Sequence, residues 1–162
     1  MRLGLVTPVL TLNPRAHNAW EETAGFEAVA TMAEAADRLG WHHLTCSEHV
    51  AVPTAVAPTR GSRYWDPLAT FGYLAARTEN LRLATHVLVL GYHHPLDIAK
   101  RYGTLDRISG GRLILGVGVG SLKEEFELEP RGIVPIKGKG DVETWYLVGT
   151  SGSSEAAAGS YR

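Results

Sequence analysis

The sequence predicts an α/β fold, half of a TIM (β/α)8 barrel with elements in the order βαβαβαβ, followed by a β-hairpin tail. Short apolar runs alternate with amphipathic helical patterns, a rhythm typical of parallel strands with right-handed crossovers. Polar residues or glycines follow each apolar run, at the end of the strand where barrel proteins keep their sites. The pattern changes after Phe126, where strand-like runs flank a turn.

Composition and charge narrow the class of protein. The chain has 162 residues and a net charge of −1, from 16 Lys+Arg against 17 Asp+Glu. This balance argues against nucleic acid or an acidic membrane as the main partner. Cys46 is the single cysteine, so no intrachain disulfide can form, and the N-terminus lacks the apolar core of a signal peptide. No apolar run is long enough to span a bilayer, so we expect a soluble, cytoplasmic protein.

The first strand and helix are predicted near the N-terminus. Residues 3–6 form an apolar run that predicts a buried strand, and Thr7 and Pro8 follow at its carboxyl end. Asn18 and Glu21 have the spacing of a capping box, which predicts a helix beginning there. The helix continues to residue 39, with Gly40 as its stop. Its apolar face comprises Phe26, Val29, Ala30, Ala33 and Ala36.

The second strand is predicted over residues 41–46, and Glu48 and His49 follow at its carboxyl end. The loop over residues 51–64 is long, which favours a functional role. Asp66 followed by Pro67 predicts the start of the second helix. Its apolar stripe comprises Leu68, Phe71, Leu74 and Ala75.

The third strand is predicted over residues 81–90 and includes His86. Pro95 predicts the start of the third helix, with Leu96, Ala99 and Tyr102 on one face. The helix ends at the turn formed by residues 109–111.

The fourth strand combines an apolar run over residues 113–115 with the alternating glycines Gly116, Gly118 and Gly120. The apolar run predicts a strand buried on both faces. The glycines predict a close backbone approach, to a flat ligand or within the strand end itself. They do not form the Gly-x-Gly-x-x-Gly dinucleotide motif.

The tail predicts a different architecture. Residues 124–127 resemble a helix start that Pro130 ends. Residues 133–136 and 144–148 predict the two strands of a hairpin, joined by a turn over residues 137–141. We therefore predict a half barrel over residues 1–128, a hairpin over 129–149 and a disordered tail over 150–162.

Residues 3–126 resemble the luciferase-like monooxygenases, most closely their F420-dependent oxidoreductase branch. The passages that carry the resemblance are residues 33–41, 47–50, 66–69, 94–96 and 105–120. The resemblance implies a (β/α)8 barrel that binds coenzyme F420, or alternatively FMN, at the carboxyl ends of its strands. It implies hydride transfer or oxygen activation on a small-molecule substrate, impaired here because the second half of the barrel is missing.

The resemblance also assigns site residues. It implies that Glu48 and His49 are catalytic and lie near the reactive ring. It implies a non-proline cis peptide at His86–Val87, beneath the ring. Ser121 departs from the glutamate proton donor that some F420-dependent dehydrogenases carry. The expected cofactor-binding residues are Thr7, His86, Val87, Gly116, Gly118 and Gly120.

Residues 131–147 resemble the C-terminal hairpin of class III nucleotide cyclases. That resemblance implies that Lys137 faces nucleotide phosphates, although a solvated turn is the interpretation that we favour. The two resemblances together suggest a gene fusion or remnant. Because a half barrel leaves two open sheet edges, the alternative function is a non-catalytic product that self-associates as a homodimer or larger oligomer.

Other candidate residues have structural interpretations. Adjacent histidines on a strand point to opposite faces, so His42 and His43 predict no metal site, and His94 is interpreted as part of a helix start. His86 is equally compatible with a packed core histidine. Cys46 is expected to pack in the core.

Overall fold

The structure, a computed structural model, describes residues 1–120, 126–136 and 140–150. The chain divides into a first unit, residues 1–119, and a second unit, residues 120–162. The first unit has the parallel α/β architecture of a half barrel that the sequence predicts. Its helices are α1 (Ala19–Thr23), α2 (Phe26–Arg38), α3 (Ala57–Arg60), α4 (Pro67–Arg77) and α5 (Pro95–Ile108). Its strands are β1 (Gly4–Val6), β2 (His43–Cys46), β3 (Arg82–Thr85), β4 (Leu88–Val89), β5 (Leu113–Ile114) and β6 (Val117–Gly118).

A parallel sheet in the order β1-β2-β3-β5 forms the centre of the first unit, and β4 pairs with β6 beside it. Its register aligns one leucine from each strand in a single row, Leu5, Leu44, Leu83 and Leu113. Leu44 and Leu83 belong to the core formed with α2, α4 and α5, and Leu5 and Leu113 pack against that core. The hydrophobic core therefore lies between the sheet and its helices.

The opposite face of the sheet carries a second row, Val6, Thr45, Ala84 and Ile114. Val6 is 81% exposed, and Ile114 is only half-buried. The predictions that the first and fourth strands are buried are therefore wrong. β1 and β5 are the edges of the sheet as described, so each has a neighbour on one side only.

The first predicted helix is two helices. The backbone of Ala24 is extended (φ −67°, ψ 134°), which ends α1 before α2 begins. The Asn18 N–H donates a hydrogen bond of 2.8 Å to Glu21 Oε1, so the predicted capping box is present. The start of α4 is also confirmed, because the Asp66 carboxylate accepts a 2.7 Å bond from Ala69 N–H.

The third predicted strand is interrupted. β3 ends at Thr85, the His86–Val87 peptide is cis as predicted, and β4 follows. Leu90, which was expected to end the strand, begins a 3-10 turn that extends to Tyr92.

The buried face of α5 differs from the predicted one. Leu96 is 73% exposed and Ala99 is also exposed, whereas Tyr102 and Leu105 are buried and Ile98 packs against the core. Positions spaced by three residues rotate steadily around a helix, so Leu96 lies about 120° from Tyr102. Ile98, Tyr102 and Leu105 follow the i, i+4, i+7 spacing that keeps one face.

The second unit contains an antiparallel hairpin of β7 (Phe126–Ile136) and β8 (Gly140–Thr150), which confirms the predicted hairpin. Its strands are longer than predicted: Phe126 and Glu127 are extended rather than helical, and Thr150 ends β8. A register shift between Pro130 and Gly132 accommodates the proline within the hairpin. Residues 124–125, the lysines at 137 and 139, and residues 151–162 lie outside the described residues.

Among the residues that the structure describes, every helix is too short or too polar to cross a bilayer.

Candidate functional site

Four predicted site positions lie at one rim of the sheet. β1, β2, β3 and β5 run parallel, and their register pairs Val6 with Thr45, Cys46 with Thr85, and Ala84 with Ile114. The residues that follow these pairs therefore leave the sheet at the same edge, which we call the rim. The rim positions from the prediction are Thr7, Glu48, His86 and Gly116.

Glu48 is buried, with 6% of its surface exposed. Its Oε2 accepts a 2.8 Å hydrogen bond from Val89 N–H, and its Oε1 lies 2.8 Å from His93 Nε2. One carboxylate thus joins the end of β2 to β4 and to the segment before α5. Both oxygens have protein partners, so the geometry indicates an orienting role.

His49 takes a different direction from its neighbour Glu48. Its imidazole packs edge-on against the Tyr64 ring, with centroids 4.5 Å apart and planes at 68°. Tyr64 belongs to the long loop that the sequence singles out, and α3 lies within that loop. The two residues of the predicted catalytic pair therefore contact different segments, Glu48 the segment of Val89 and His93, and His49 the long loop.

Thr7 directly follows β1, and its hydroxyl has no hydrogen-bond partner in the described structure. The residue is 6% exposed, and its Oγ1 is buried without a hydrogen bond. A buried hydroxyl without a partner is unusual, because it loses its hydrogen bonds to water without replacing them. It is a free donor and acceptor at the rim.

The segment from His86 to Leu88 is held to the glycine run by hydrogen bonds. The Thr85 hydroxyl donates to Gly116 O at 2.7 Å, and Leu88 N–H donates to the same oxygen at 2.8 Å. His86 N–H donates to Cys46 O at 2.8 Å, while the His86 side chain is exposed. His86 is therefore not the packed core histidine that the sequence also allowed.

Close strand packing explains two of the glycines. A Cβ on Gly116 would overlap the Thr85 carbonyl oxygen, and one on Gly118 would lie 2.7 Å from Val87 Cγ2. Both contacts are with the neighbouring strand segment, so these glycines are required even without a ligand. Gly120 belongs to the second unit and has a φ of 89°, where glycine is favoured.

The interior beside β2 disfavours charge. Burial and the nearby Asp66 carboxylate raise the pKa of Cys46 to about 12. Burial also raises the pKa of Tyr102, and the Glu48 and Asp66 carboxylates add to that shift. Cys46 is therefore a protonated packing residue, which agrees with its sequence interpretation, and Tyr102 remains a neutral phenol at physiological pH.

His42 and His43 are closer than the sequence argument allowed. Their Nδ1 atoms lie 3.0 Å apart, because His42 precedes β2 and does not follow its alternation. The reason given for excluding a metal there is therefore wrong. Within the described residues, however, no group of three or more His, Cys, Asp or Glu side chains is arranged to hold a metal ion.

Several residues in the resembling passages stabilise the opposite end of the sheet. The Asp37 carboxylate accepts hydrogen bonds from the N–H groups of residues 79, 80 and 81, at 2.6, 2.9 and 2.7 Å. The Arg112 guanidinium donates to Ala75 O at 2.7 Å and to Thr78 Oγ1 at 2.8 Å. These contacts lie at the amino ends of β3 and β5, so their role is structural.

A groove of about 630 Å³ lies away from the strands. It is bounded by α2, α4 and the loop before α4. Phe26 stacks on Trp65 with centroids 5.0 Å apart, and Tyr73 meets Phe26 edge-on at 4.8 Å. Arg63 also lines it, with its Nε buried and unpartnered. None of the lining residues is a predicted site residue.

Comparison with known proteins gives a family match and several relatives. A family model described as luciferase-like monooxygenase matches residues 1–134. The 4-hydroxyprotoasukamycin monooxygenase of Streptomyces nodosus subsp. asukaensis is 35% identical over 95 residues, which cover 59% of this chain and 24% of that protein.

Solved structures share the fold. The FMN-bound oxygenating constituent of 3,6-diketocamphane monooxygenase from Pseudomonas putida has a TM-score of 0.56 and 25% identity, over 75% of this chain and 30% of that one. The coenzyme F420-dependent tetrahydromethanopterin reductase of Methanopyrus kandleri, at 22% identity and a TM-score of 0.53, is similar in fold alone, over 74% of this chain and 27% of that one. The chain thus spans about a quarter to a third of the length of these three proteins.

Proposed function

Because the chain belongs to the luciferase-like monooxygenase family, we propose that its rim binds a flavin-type ring for oxygen activation or hydride transfer on a small organic substrate. The observation that carries this proposal is the Thr7 hydroxyl, which is buried without a partner at the rim. Around it on the same rim lie Glu48, His86 and Gly116.

The donor set of the rim suits a planar ring with polar edges. Thr7 offers a hydroxyl, and the exposed His86 side chain offers a second polar group. The Val87 side chain packs against Gly118 and gives the site an apolar surface. When bound, the ring supplies the redox chemistry, and the protein supplies binding, orientation and charge.

The chain's own residues would divide the work at the rim. Thr7 would hydrogen-bond a polar edge of the ring. The His49 imidazole, which packs against Tyr64, would hold or move a proton at a ring nitrogen. Glu48 would hold β4 and the adjoining Val87 in position through its bond to Val89 N–H.

We favour FMN over coenzyme F420 as the cofactor. The supporting observation is that the relative at 25% identity is described with FMN, whereas the F420-dependent reductase shares the fold alone. The F420 expectation depends on the sequence passages that resemble that branch.

Cofactor titration tests this proposal. FMN and F420 are titrated separately into the full chain while ligand fluorescence is followed, and we expect saturation near one FMN per chain. Thr7→Val removes the hydroxyl but keeps the shape, and it should weaken binding about fivefold, the value of one hydrogen bond of about 1 kcal/mol. Thr31→Val is the matched control, since the Thr31 hydroxyl bonds Glu27 O within α2. Absence of saturation with both cofactors would overturn the proposal.

The second candidate function is self-association through the sheet edges. Val6 on β1 and Val119 beyond β6 are 81% and 82% exposed. Edge β1 and edge β5 are unlike and parallel, so two copies related by a two-fold axis can pair β1 of each with β5 of the other. Such a dimer would also cover the row formed by Val6, Thr45, Ala84 and Ile114.

A further inference from the structure

We infer that His93 is a positioning residue of the rim, acting through the Glu48 carboxylate to hold the segment from His86 to Val89 in place. This inference deepens the proposed function and rests on it for its consequence in cofactor binding. The contact itself joins residues 45 positions apart in the sequence.

The hydrogen bonds define a continuous connection. His93 Nε2 lies 2.8 Å from Glu48 Oε1, and Glu48 Oε2 accepts the Val89 N–H at 2.8 Å. At the other end of the segment, Leu88 N–H donates to Gly116 O at 2.8 Å. The segment from His86 to Val89 is therefore held from two sides, by the Glu48 carboxylate and by the Gly116 carbonyl.

Burial makes the His93 contact consequential. Glu48 is almost fully buried, so water cannot easily replace a lost partner at Oε1. Without the imidazole, the carboxylate would rotate toward solvent to regain a partner for Oε1. That rotation weakens the acceptor that Val89 N–H requires.

His93 is itself well placed to transmit a change. His94, its neighbour, caps α5 by accepting a 3.2 Å hydrogen bond from Leu96 N–H, so the position of His93 follows the start of that helix. A cavity of about 20 Å³ beside His93 has room for one water molecule. The other residues that line it are Asp66, Leu68, Asp97, Ile98, Arg101 and Tyr102.

Several charged or polar side chains surround His93. Glu48 faces it directly from the end of β2, and Asp66 lies at the start of α4. Asp97, Arg101 and Tyr102 face the same cavity from α5.

The test compares His93→Leu, which removes the donor, with His93→Gln, whose amide can still donate to Glu48. His94→Asn is the matched control, because it changes the adjacent histidine but keeps a side-chain acceptor that can cap α5. Hydrogen exchange of the Val89 amide is the first measurement and needs no cofactor. We expect His93→Leu to accelerate it about tenfold, and His93→Gln and His94→Asn to change it less than about threefold.

FMN affinity is the second measurement. His93→Leu should weaken it about tenfold, and His93→Gln should keep it within about threefold of the wild-type affinity. If His93→Leu does not fold, His93→Asn replaces it, because its amide is too short to reach Glu48. Unchanged Val89 exchange in the loss variant, or equal effects of Leu and Gln, would overturn the inference. If Val89 responds but the wild-type chain binds neither FMN nor F420, the positioning contact stands and the proposed function fails.

Discussion

The Glu21 carboxylate stabilises the backbone of Val9, twelve residues earlier in the chain. Its Oε2 accepts the Val9 N–H at 3.0 Å, and Val9 is a buried β-branched residue with a φ of 73°. This region of φ is strained for valine. The capping box of α1 thus also holds the loop that follows the first rim strand.

Glu21→Gln should lower the free energy of unfolding by about 1–3 kcal/mol, because the carboxylate has buried N–H partners. Burial alone would raise the pKa of Glu21, but hydrogen bonds from Asn18 and Val9 lower it overall. Its contribution is therefore present above the pKa of the unfolded state and is lost as pH falls through the lower folded pKa. Urea unfolding at pH 7 and pH 3 measures this, with Glu79→Gln on the exposed surface as control; equal losses at both pH values would contradict it.

Gly116→Ala should destabilise the first unit by about 2–3 kcal/mol. The added methyl group meets the Thr85 carbonyl oxygen, which is backbone and cannot move aside without disturbing β3. Gly118→Ala should cost less, since Val87 Cγ2 belongs to a side chain. The control is Gly103→Ala on the exposed surface of α5, where no atom lies within 4 Å and alanine favours the helix. Urea midpoints that rank Gly103→Ala below Gly116→Ala would show the explanation to be wrong.

His42 and His17 should give opposite pH dependences of stability. Burial, Arg2 and His43 lower the pKa of His42, so its contribution is complete above the unfolded pKa and is lost as pH falls. The Glu22 and Asn13 hydrogen bonds raise the pKa of His17, so its contribution is present at low pH and is lost as pH rises through the folded value.

The measurement is the free energy of unfolding from pH 5 to pH 8 for His42→Gln and His17→Gln. Relative to wild type, His42→Gln should be most favourable at the acidic end and His17→Gln at the basic end. Parallel curves for the two variants would contradict the assignment.

Val6→Lys should reduce self-association if the sheet edges pair. A charged side chain at the carboxyl end of the β1 edge opposes strand addition there. Leu39→Lys is the control, because Leu39 is 76% exposed beyond the end of α2 and away from the sheet. Sedimentation velocity should show a wild-type dimer, a Leu39→Lys dimer and a Val6→Lys monomer. A monomeric wild type at all concentrations would exclude the paired-edge function.

Local periodicity explains what could be predicted from the sequence. The α/β order, the hairpin and the caps at Asn18 and Asp66 follow from spacings within a few residues. The strand ends could therefore be placed at one rim. The resemblance to the family supplied the cis peptide at His86–Val87, which periodicity could not indicate.

The remaining differences depend on distant contacts or on missing neighbours. His93 is 45 residues from Glu48, so no local sequence pattern indicates their contact. A run such as residues 113–115 has the composition of a buried strand, but its exposure depends on which strand lies beside it. The meeting of His42 and His43 depends on where β2 begins, a boundary that shifted by two residues from the prediction.

The row of Leu5, Leu44, Leu83 and Leu113 has a consequence for assembly. These side chains pack with the helices of the first unit. The hydrophobic core of this unit therefore forms without closure of a barrel. Further residues of the same polypeptide or a second molecule could close the barrel. Closure would enclose the opposite face of a sheet that already has a hydrophobic core on its helix side.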